Sequence, residues 1–383
     1  MTSLYAHTPG YCDTYKGIAP SLSLHPAIMA PTIPTVAQAW RYPPTEPSLW
    51  NSYHSLELKD VPVPKPGKGE ILVKMHAVAL NSSLGKYPGG AFTTGPDHGG
   101  LIPTSDGAGE VVAVGEGVEG WAIGDRVHSL FSEAWVSGYA QEKDWPTTIG
   151  SHIQGCLTQY RIFPADFCLP VPEHLSYEQA AAIPCAGMTA FNVLFDYGST
   201  TPNSTVLVLG SGGVSVLGAQ FAKAAGARVI ATTSSPDKAS KYKALGVDHV
   251  INYRDTPNWA DEVKKLTGGL GVDQVFEIGG KGTLMEAIRA IKPGGVVHVI
   301  SVPPEVATTS INELAMALLL KQGKLNGVLV GGRDVGQRLD SFISKHKITP
   351  LVDSKVFEWK EAKEAFGYLQ SGAHFGKVVI KVD

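Results

Sequence analysis

The stretch from Thr205 to Ser235 restricts the possible folds of this chain more than any other. Val206 to Leu209 is a short, wholly apolar run, as a strand buried on both faces of a parallel sheet requires. Gly210, Gly212 and Gly213 then let the backbone turn tightly and approach a ligand closely. From Val214 the period changes. Val214, Leu217, Gly218, Phe221, Ala222 and Ala225 recur at the spacing of one helix face. Gly226 ends that helix, and Arg228 to Thr232 begins a second strand. Strand, glycine turn, helix, strand is a dinucleotide-binding unit, whose helix N-terminus turns unpaired N–H groups toward a pyrophosphate. Ser215 stands at the third glycine position of the Gly-x-Gly-x-x-Gly pattern, so the helix is expected to pack less closely there.

A chain of 383 residues has room for two domains and a sizeable core. Its net charge of −3 offers no basic excess for nucleic acid. No apolar run reaches the roughly 18 residues of a membrane span. Cys12, Cys156, Cys168 and Cys185 show no Cys-x-x-Cys spacing. They read as free thiols of a reducing compartment, which places the protein in the cytoplasm. Residues 1–36 are rich in Pro, Ser and Thr without periodicity, and are expected to form a flexible or draped extension without a secretory signal.

Short strands separated by glycine turns are expected at Gln38–Arg41, Leu56–Val61, Ile71–Leu80, Val111–Val118, Gly124–Val127 and Thr158–Pro164, a β-rich barrel. The long segment Phe131 to Gly155 carries Trp135, Tyr139, Trp145 and His152. It reads either as a substrate-pocket wall or as a surface decoration. Ser176 and Gln179 form a capping-box pattern, and Pro184 is expected to break the helix that follows. A second helix is expected from Ala186 to Phe195. Alternating helices and strands then run to Ser301, which builds a doubly wound parallel sheet. Ile311–Lys321 reads as a helix and Lys324–Val330 as an edge strand. Two more helices and a closing strand at Val378–Lys381 complete the chain.

Seven motifs in order resemble the medium-chain dehydrogenase/reductase superfamily, on its zinc-independent, quinone-oxidoreductase-like side. They are Pro66–Val73, Asp106–Gly115, Gly124–Val127, Ala181–Ala190, Gly210–Val214, Ala244–Tyr253 and His374–Ile380. The resemblance runs from about Ala37 to the C-terminus. It implies a GroES-like barrel over 37–172, a Rossmann domain over 173–330, and a return to the barrel over 331–383.

The resemblance also bears on chemistry. Zinc-dependent relatives hold their ion with a cysteine, a Gly-His-Glu motif and a later cysteine. Here those positions read Asn81-Ser-Ser-Leu84, Ser105-Asp-Gly107 and Cys185, too few ligands for a tetrahedral zinc, so no metal is expected. At the end of the second strand the expected acid for a ribose hydroxyl is missing. Ser234, Lys238 and Tyr253 match the 2′-phosphate contacts of NADPH-binding relatives, with an exposed helical lysine as the alternative for Lys238. The cofactor contacts implied are Thr189, Gly210, Gly212, Gly213, Val214, Ser215, Ser234, Lys238, Tyr253, Gly279, Ser301, Gly376 and Lys377. Asn81, Ser82, Tyr87 and Asp106 are the catalytic candidates, Asn81 standing either as an orienting amide or as a plain strand-end residue. Relatives carry an Asn-Tyr-x-Asp-like element where this chain has Asn81-Ser-Ser-Leu84, so the usual proton relay is altered. Two functions remain open. One is an NADPH-dependent reductase of an enone, quinone or related carbonyl compound. The other is the same fold without redox turnover, as a cyclase, a lyase or a nucleotide-sensing protein. The apolar edge strand implies a homodimer, or an edge capped by the chain's own tail.

Overall fold

The computed structural model describes residues 32–45, 50–81, 99–280, 282–301 and 310–382. Residues 1–31 of the N-terminal extension, with Cys12, and Ser82, Ser83, Lys86, Tyr87, His98 and Val302 lie outside them, while Val36 at the end of the extension already opens a strand. Residues 33–383 form one compact unit.

The barrel sheet is antiparallel. Its strands are β3 (Glu70–Ala79), β4 (Asp106–Val114), β5 (Arg126–Ser129), β6 (Tyr160–Pro164) and β7 (Cys168–Pro170). A two-stranded ribbon, β1 (Val36–Arg41) with β2 (Glu57–Pro62), lies beside it. The last strand, β14 (Val379–Lys381), returns from the far end of the chain to pair with β3, setting Val379 opposite Ala79. β3 is the hub. It pairs with β4, β6 and β14, and Ile71, Val73, Met75 and Val78 on it are almost wholly buried.

The second sheet is parallel, in the order β10-β9-β8-β11-β12-β13. Its strands are β8 (Thr205–Leu209), β9 (Arg228–Thr233), β10 (His249–Asn252), β11 (Val272–Glu277), β12 (Ile291–Val299) and β13 (Lys324–Gly327). Val206, Leu207 and Val208 are all fully buried, as both faces of β8 are covered. The helices α3 (Gly213–Ala224), α4 (Pro236–Ala244), α5 (Trp259–Leu266), α6 (Leu284–Ala290) and α7 (Ile311–Lys321) connect these strands or follow them. This is the α/β architecture the alternation implied, a GroES-like sheet joined to a Rossmann sheet. α8 (Arg333–His346) and α9 (Ala362–Ser371) precede the closing strand.

Three local expectations are corrected. Pro184 does not break the helix. The helical path from α1 (Tyr177–Ala180) to α2 (Met188–Asn192) runs through a π-turn at Ile183–Gly187, and Gly187 N–H reaches back five residues to Ala182 O. The wider turn accommodates a ring that lacks an N–H and would otherwise clash with the preceding turn. The capping box at Ser176 and Gln179 forms as expected. The edge strand β13 stops at Gly327, three residues earlier than the apolar pattern suggested. β4 begins at Asp106, well before Val111, because small residues from Gly107 to Gly109 let it pack against β3 and β5.

Candidate active site at the junction of the two sheets

The glycine turn sits at the end of β8. Gly210 has a φ of +71°, a left-handed conformation that favours glycine. Its carbonyl accepts a 2.6 Å hydrogen bond from Tyr242 Oη of α4. Gly212 caps α3 without a side chain, so nothing of its own covers the first N–H groups of that helix. A side chain at Gly212 would meet only His374 Nε2, at 3.9 Å. One at Gly213 would strike Lys377 Cδ at 2.5 Å. Ser215 is buried, and its hydroxyl donates to Leu209 O at 2.6 Å, tying the helix start to the strand end. The close helix–sheet approach lies one turn further on. A methyl at Gly218 would stand 2.6 Å from the Phe276 ring.

Gly376 reaches this turn from the C-terminal return. It bridges to Gly212, and its N–H donates to Ser211 O at 3.0 Å. The next residue enters the barrel. Lys377 is 2% exposed, and its ammonium donates to Asn81 Oδ1 at 2.8 Å, Leu80 O at 2.9 Å and Asp106 Oδ2 at 3.0 Å. Ser105 Oγ donates to Asp106 Oδ1 at 2.5 Å, and Asn81 Nδ2 donates to Ser105 Oγ at 3.4 Å. Asn81, Ser105, Asp106 and Lys377 therefore close a hydrogen-bonded ring. Ser82 and Tyr87 are not among the described residues.

Beside this ring runs the helical segment that carries Cys185 and Thr189. Burial, and then the Asp106 carboxylate, push the Cys185 thiol up to about 12, so it stays protonated at neutral pH. Thr189 is buried and its hydroxyl donates to Cys185 O at 2.7 Å. Across the junction, Gly279 follows the end of β11. Glu277, fully buried, accepts from Gly279 N–H at 2.7 Å, Gly280 N–H at 2.8 Å and Thr283 Oγ1 at 2.6 Å. Desolvation raises its pKa. Ser301 follows β12 at the same sheet end and is partly exposed.

The end of β9 gathers three of the expected residues. Ser234 follows the strand, Ser235 caps α4 by accepting from Lys238 N–H at 3.2 Å, and Tyr253 N–H donates to Thr233 O at 3.1 Å. Asp237 lies in the first turn of α4, favourably placed beside the positive dipole end. Lys238 Nζ donates to Gly372 O at 2.6 Å. Burial, and then the neighbouring Lys241, depress its pKa. Burial and Lys238 in turn lower His374 to about 4.

Two family models match the chain, the alcohol dehydrogenase GroES-like domain over residues 67–173 and the zinc-binding dehydrogenase over residues 213–345. A zinc-type alcohol dehydrogenase-like protein of Schizosaccharomyces pombe is 37% identical over 342 residues, 87% of this chain and 97% of the relative. The chain belongs to the medium-chain dehydrogenase/reductase superfamily. Members of this superfamily are nicotinamide-dependent oxidoreductases, and solved structures named for either form of the cofactor resemble the present one. An NAD-dependent alcohol dehydrogenase is 31% identical, with a TM-score of 0.76 over 90% of this chain and all of that one. 2-Octenoyl-CoA carboxylase reductase, in complex with NADP and 2-octenoyl-CoA, is 26% identical, with a TM-score of 0.77 over 91% of this chain and 88% of that one.

Within this dehydrogenase/reductase the zinc named in the matched family model meets a poor donor set. Among the described residues no three of His, Cys, Asp and Glu converge. The Asp106 carboxylate is already paired with an ammonium, and among the described residues Cys185 has no second thiol or imidazole grouped with it. The nicotinamide cofactor meets a better fit, with an uncapped helix start beneath an open glycine turn and Gly376 lying over it. The segment Phe131–Gly155 docks on the C-terminal return. Trp135 O and Val136 O accept from Arg333 and Asp334 N–H at the start of α8.

Sequence reasoning missed four residues here. Glu277 was legible as an acid flanked by Phe276 and Ile278 near the end of the strand Val272–Ile278, but nothing in the chain order says which N–H groups it gathers. Ser105 joins its neighbour Asp106 to Asn81, 24 positions away, and Tyr242 reaches Gly210 across 32. His128 of β5 is fully buried between Ser129 O, 2.9 Å from Nδ1, and Asp340 Oδ2 of α8, 3.1 Å from Nε2. Two acceptors on one ring favour the imidazolium, and the Asp340 charge raises the His128 pKa against its desolvation.

Proposed function

We propose that this dehydrogenase/reductase uses NADPH to transfer hydride to an activated C=C bond, a quinone or a related carbonyl compound, without zinc. The observation that carries the reading is the rim at the end of β9. It offers the hydroxyls of Ser234 and Tyr253 and the cation of Lys238, and the first acid after the strand, Asp237, belongs to a helix start. The depressed pKa of Lys238 reflects a cation partly withdrawn from water and set beside Lys241, which together outweigh the pull of Asp353, and an incoming phosphate would favour the cation.

The bound cofactor supplies the hydride. The chain supplies the rest. Gly212 to Ser215 offer N–H groups to the pyrophosphate, and Glu277 fixes the Gly279–Gly280 turn at the nicotinamide end. Asn81 and Asp106, locked by Lys377, line the barrel side where the substrate oxygen is held by hydrogen-bond donors in place of a metal. The segment Phe131–Gly155 forms an outer wall of the substrate pocket. The enzyme works as a homodimer in the cytoplasm, and the three described cysteines are free thiols. Among the described residues no helix is long and apolar enough to cross a membrane.

Titration of NADPH and NADH by tryptophan fluorescence tests the cofactor choice. NADPH is expected to bind more tightly, and Lys238→Ala to weaken NADPH more than NADH. Removing one charge-assisted contact is worth about 1.5–3 kcal/mol, roughly ten- to a hundredfold in affinity. Equal or tighter NADH binding by the parent would overturn the reading. Oxidation of NADPH against a panel of enones and quinones, followed by absorbance, tests the reaction class.

A further inference from the structure

The three oxygens around Lys377 Nζ have the character of a cation site. A backbone carbonyl, an amide oxygen and a carboxylate oxygen converge on one point at 2.8–3.0 Å. All three protons of the ammonium are used, one for each oxygen. Asp106 is fully buried and Lys377 nearly so, which makes this a desolvated ion pair. The remaining polar atoms are satisfied within the ring. Asp106 Oδ1 accepts from Ser105 Oγ, and Asn81 Nδ2 donates to Ser105 Oγ. A divalent ion at this point would need the same carboxylate and amide oxygens, and it would face a buried positive charge at contact distance. The Lys377 stem passes close to Gly213, where a Cβ would strike Cδ at 2.5 Å, so the ammonium is delivered past the glycine turn itself.

We infer that Lys377 is the resident cation of this junction, a covalently tethered ammonium that fills the oxygen site, excludes a divalent metal from it, and holds Asn81 and Asp106 in fixed orientation. Lys377 is thus a positioning residue rather than a direct phosphate contact. The inference extends the zinc-free part of the proposed function and is independent of its choice of cofactor.

The test compares the full-length parent with Lys377→Ala. That substitution removes the equivalent of n-propylammonium and leaves Asp106 unpaired, so the thermal midpoint is expected to fall by many degrees. Addition of n-propylammonium should recover roughly half or more of the loss by occupying the vacated site, while n-propanol at the same concentration should not. Equal recovery by both compounds, or by neither, would show a stem that only fills space and would overturn the assignment. The parent keeps the inference falsifiable if Lys377→Ala does not fold. After incubation with zinc and removal of excess, elemental analysis should find far less than one ion per chain. One zinc per chain in the parent, lost in Asp106→Asn, would show a metal displacing the ammonium and would overturn it as well. A zinc-free parent that prefers NADH would leave Lys377 in place and sink only the cofactor reading.

Discussion

At the scale of single residues, the informative positions are those where the glycine pattern and the packing diverge. Ser215 occupies the third glycine position, and the sequence implies a looser helix there. Its hydroxyl instead anchors the helix start to Leu209 O, and the close approach moves to Gly218 against Phe276. Two opposed effects meet at Gly218. Replacing glycine by alanine inside a helix ordinarily stabilises by about 1 kcal/mol. Here the new methyl would lie 2.6 Å from the ring of a fully buried phenylalanine, and overpacking of that kind costs about 1–3 kcal/mol. The net expectation for Gly218→Ala is a loss of stability, seen as a lower urea midpoint. Adding Phe276→Leu should make the loss smaller than the sum of the two single changes. Additive losses would mean that the ring moves aside without cost.

At the scale of elements, α7 and β13 stand out by what they leave uncovered. Ile311 is 83% exposed, Leu319 68% and Leu320 76%, on a helix that leads into the outermost strand of the parallel sheet. An apolar helix leading into a strand edge that no other described strand covers is a liability in a monomer. Covering both with a second copy across a two-fold axis removes it. Light scattering at micromolar concentration should report twice the chain mass, and Leu319→Glu with Leu320→Lys should shift the protein toward the monomer. A parent that scatters as a monomer would leave this face to another partner.

At the scale of the whole molecule, three histidines give stability a two-sided dependence on pH. His298 of β12 is fully buried, neither ring nitrogen has a hydrogen-bond partner among the described residues, and burial lowers it from 6.5 to about 4. His374 is lowered to about 4 as well. Below about pH 6.5 the unfolded chain takes up protons that these native rings refuse, so stability falls as pH drops toward 4 and then levels. For His298 the loss is on the order of 3 kcal/mol. His128 acts in the opposite sense. Its folded pKa is raised by Asp340, so its contribution is complete below about 6.5 and is lost as pH rises through the folded value. Urea midpoints measured from pH 4 to pH 9 should therefore decline on both sides. His298→Leu should flatten the acid side alone, and Asp340→Asn the alkaline side alone. A change on the opposite side in either variant would break the assignment.

Much of this protein was determined by local sequence. The parallel sheet follows from alternating apolar runs and helix-period segments. The glycine turn follows from Gly210, Gly212 and Gly213, since Gly210 adopts a left-handed φ and a side chain at Gly213 would strike Lys377. The capping box at Ser176 needs only residues three apart. What the chain order could not determine are the partners that folding brings together from afar. Lys377 meets Asn81 and Asp106 across 296 and 271 positions, and His128 meets Asp340 across 212. A lysine beside a glycine near the C-terminus reads as a contact to the cofactor. Only the return of β14 to β3 carries its ammonium into the barrel, where buried oxygens must find a donor because water cannot reach them. Pro184 shows the same division. Its chemistry forbids a regular α-turn, but whether the chain stops or widens into a π-turn was decided by the packing of the buried residues around it, Ile183, Ala186 and Gly187.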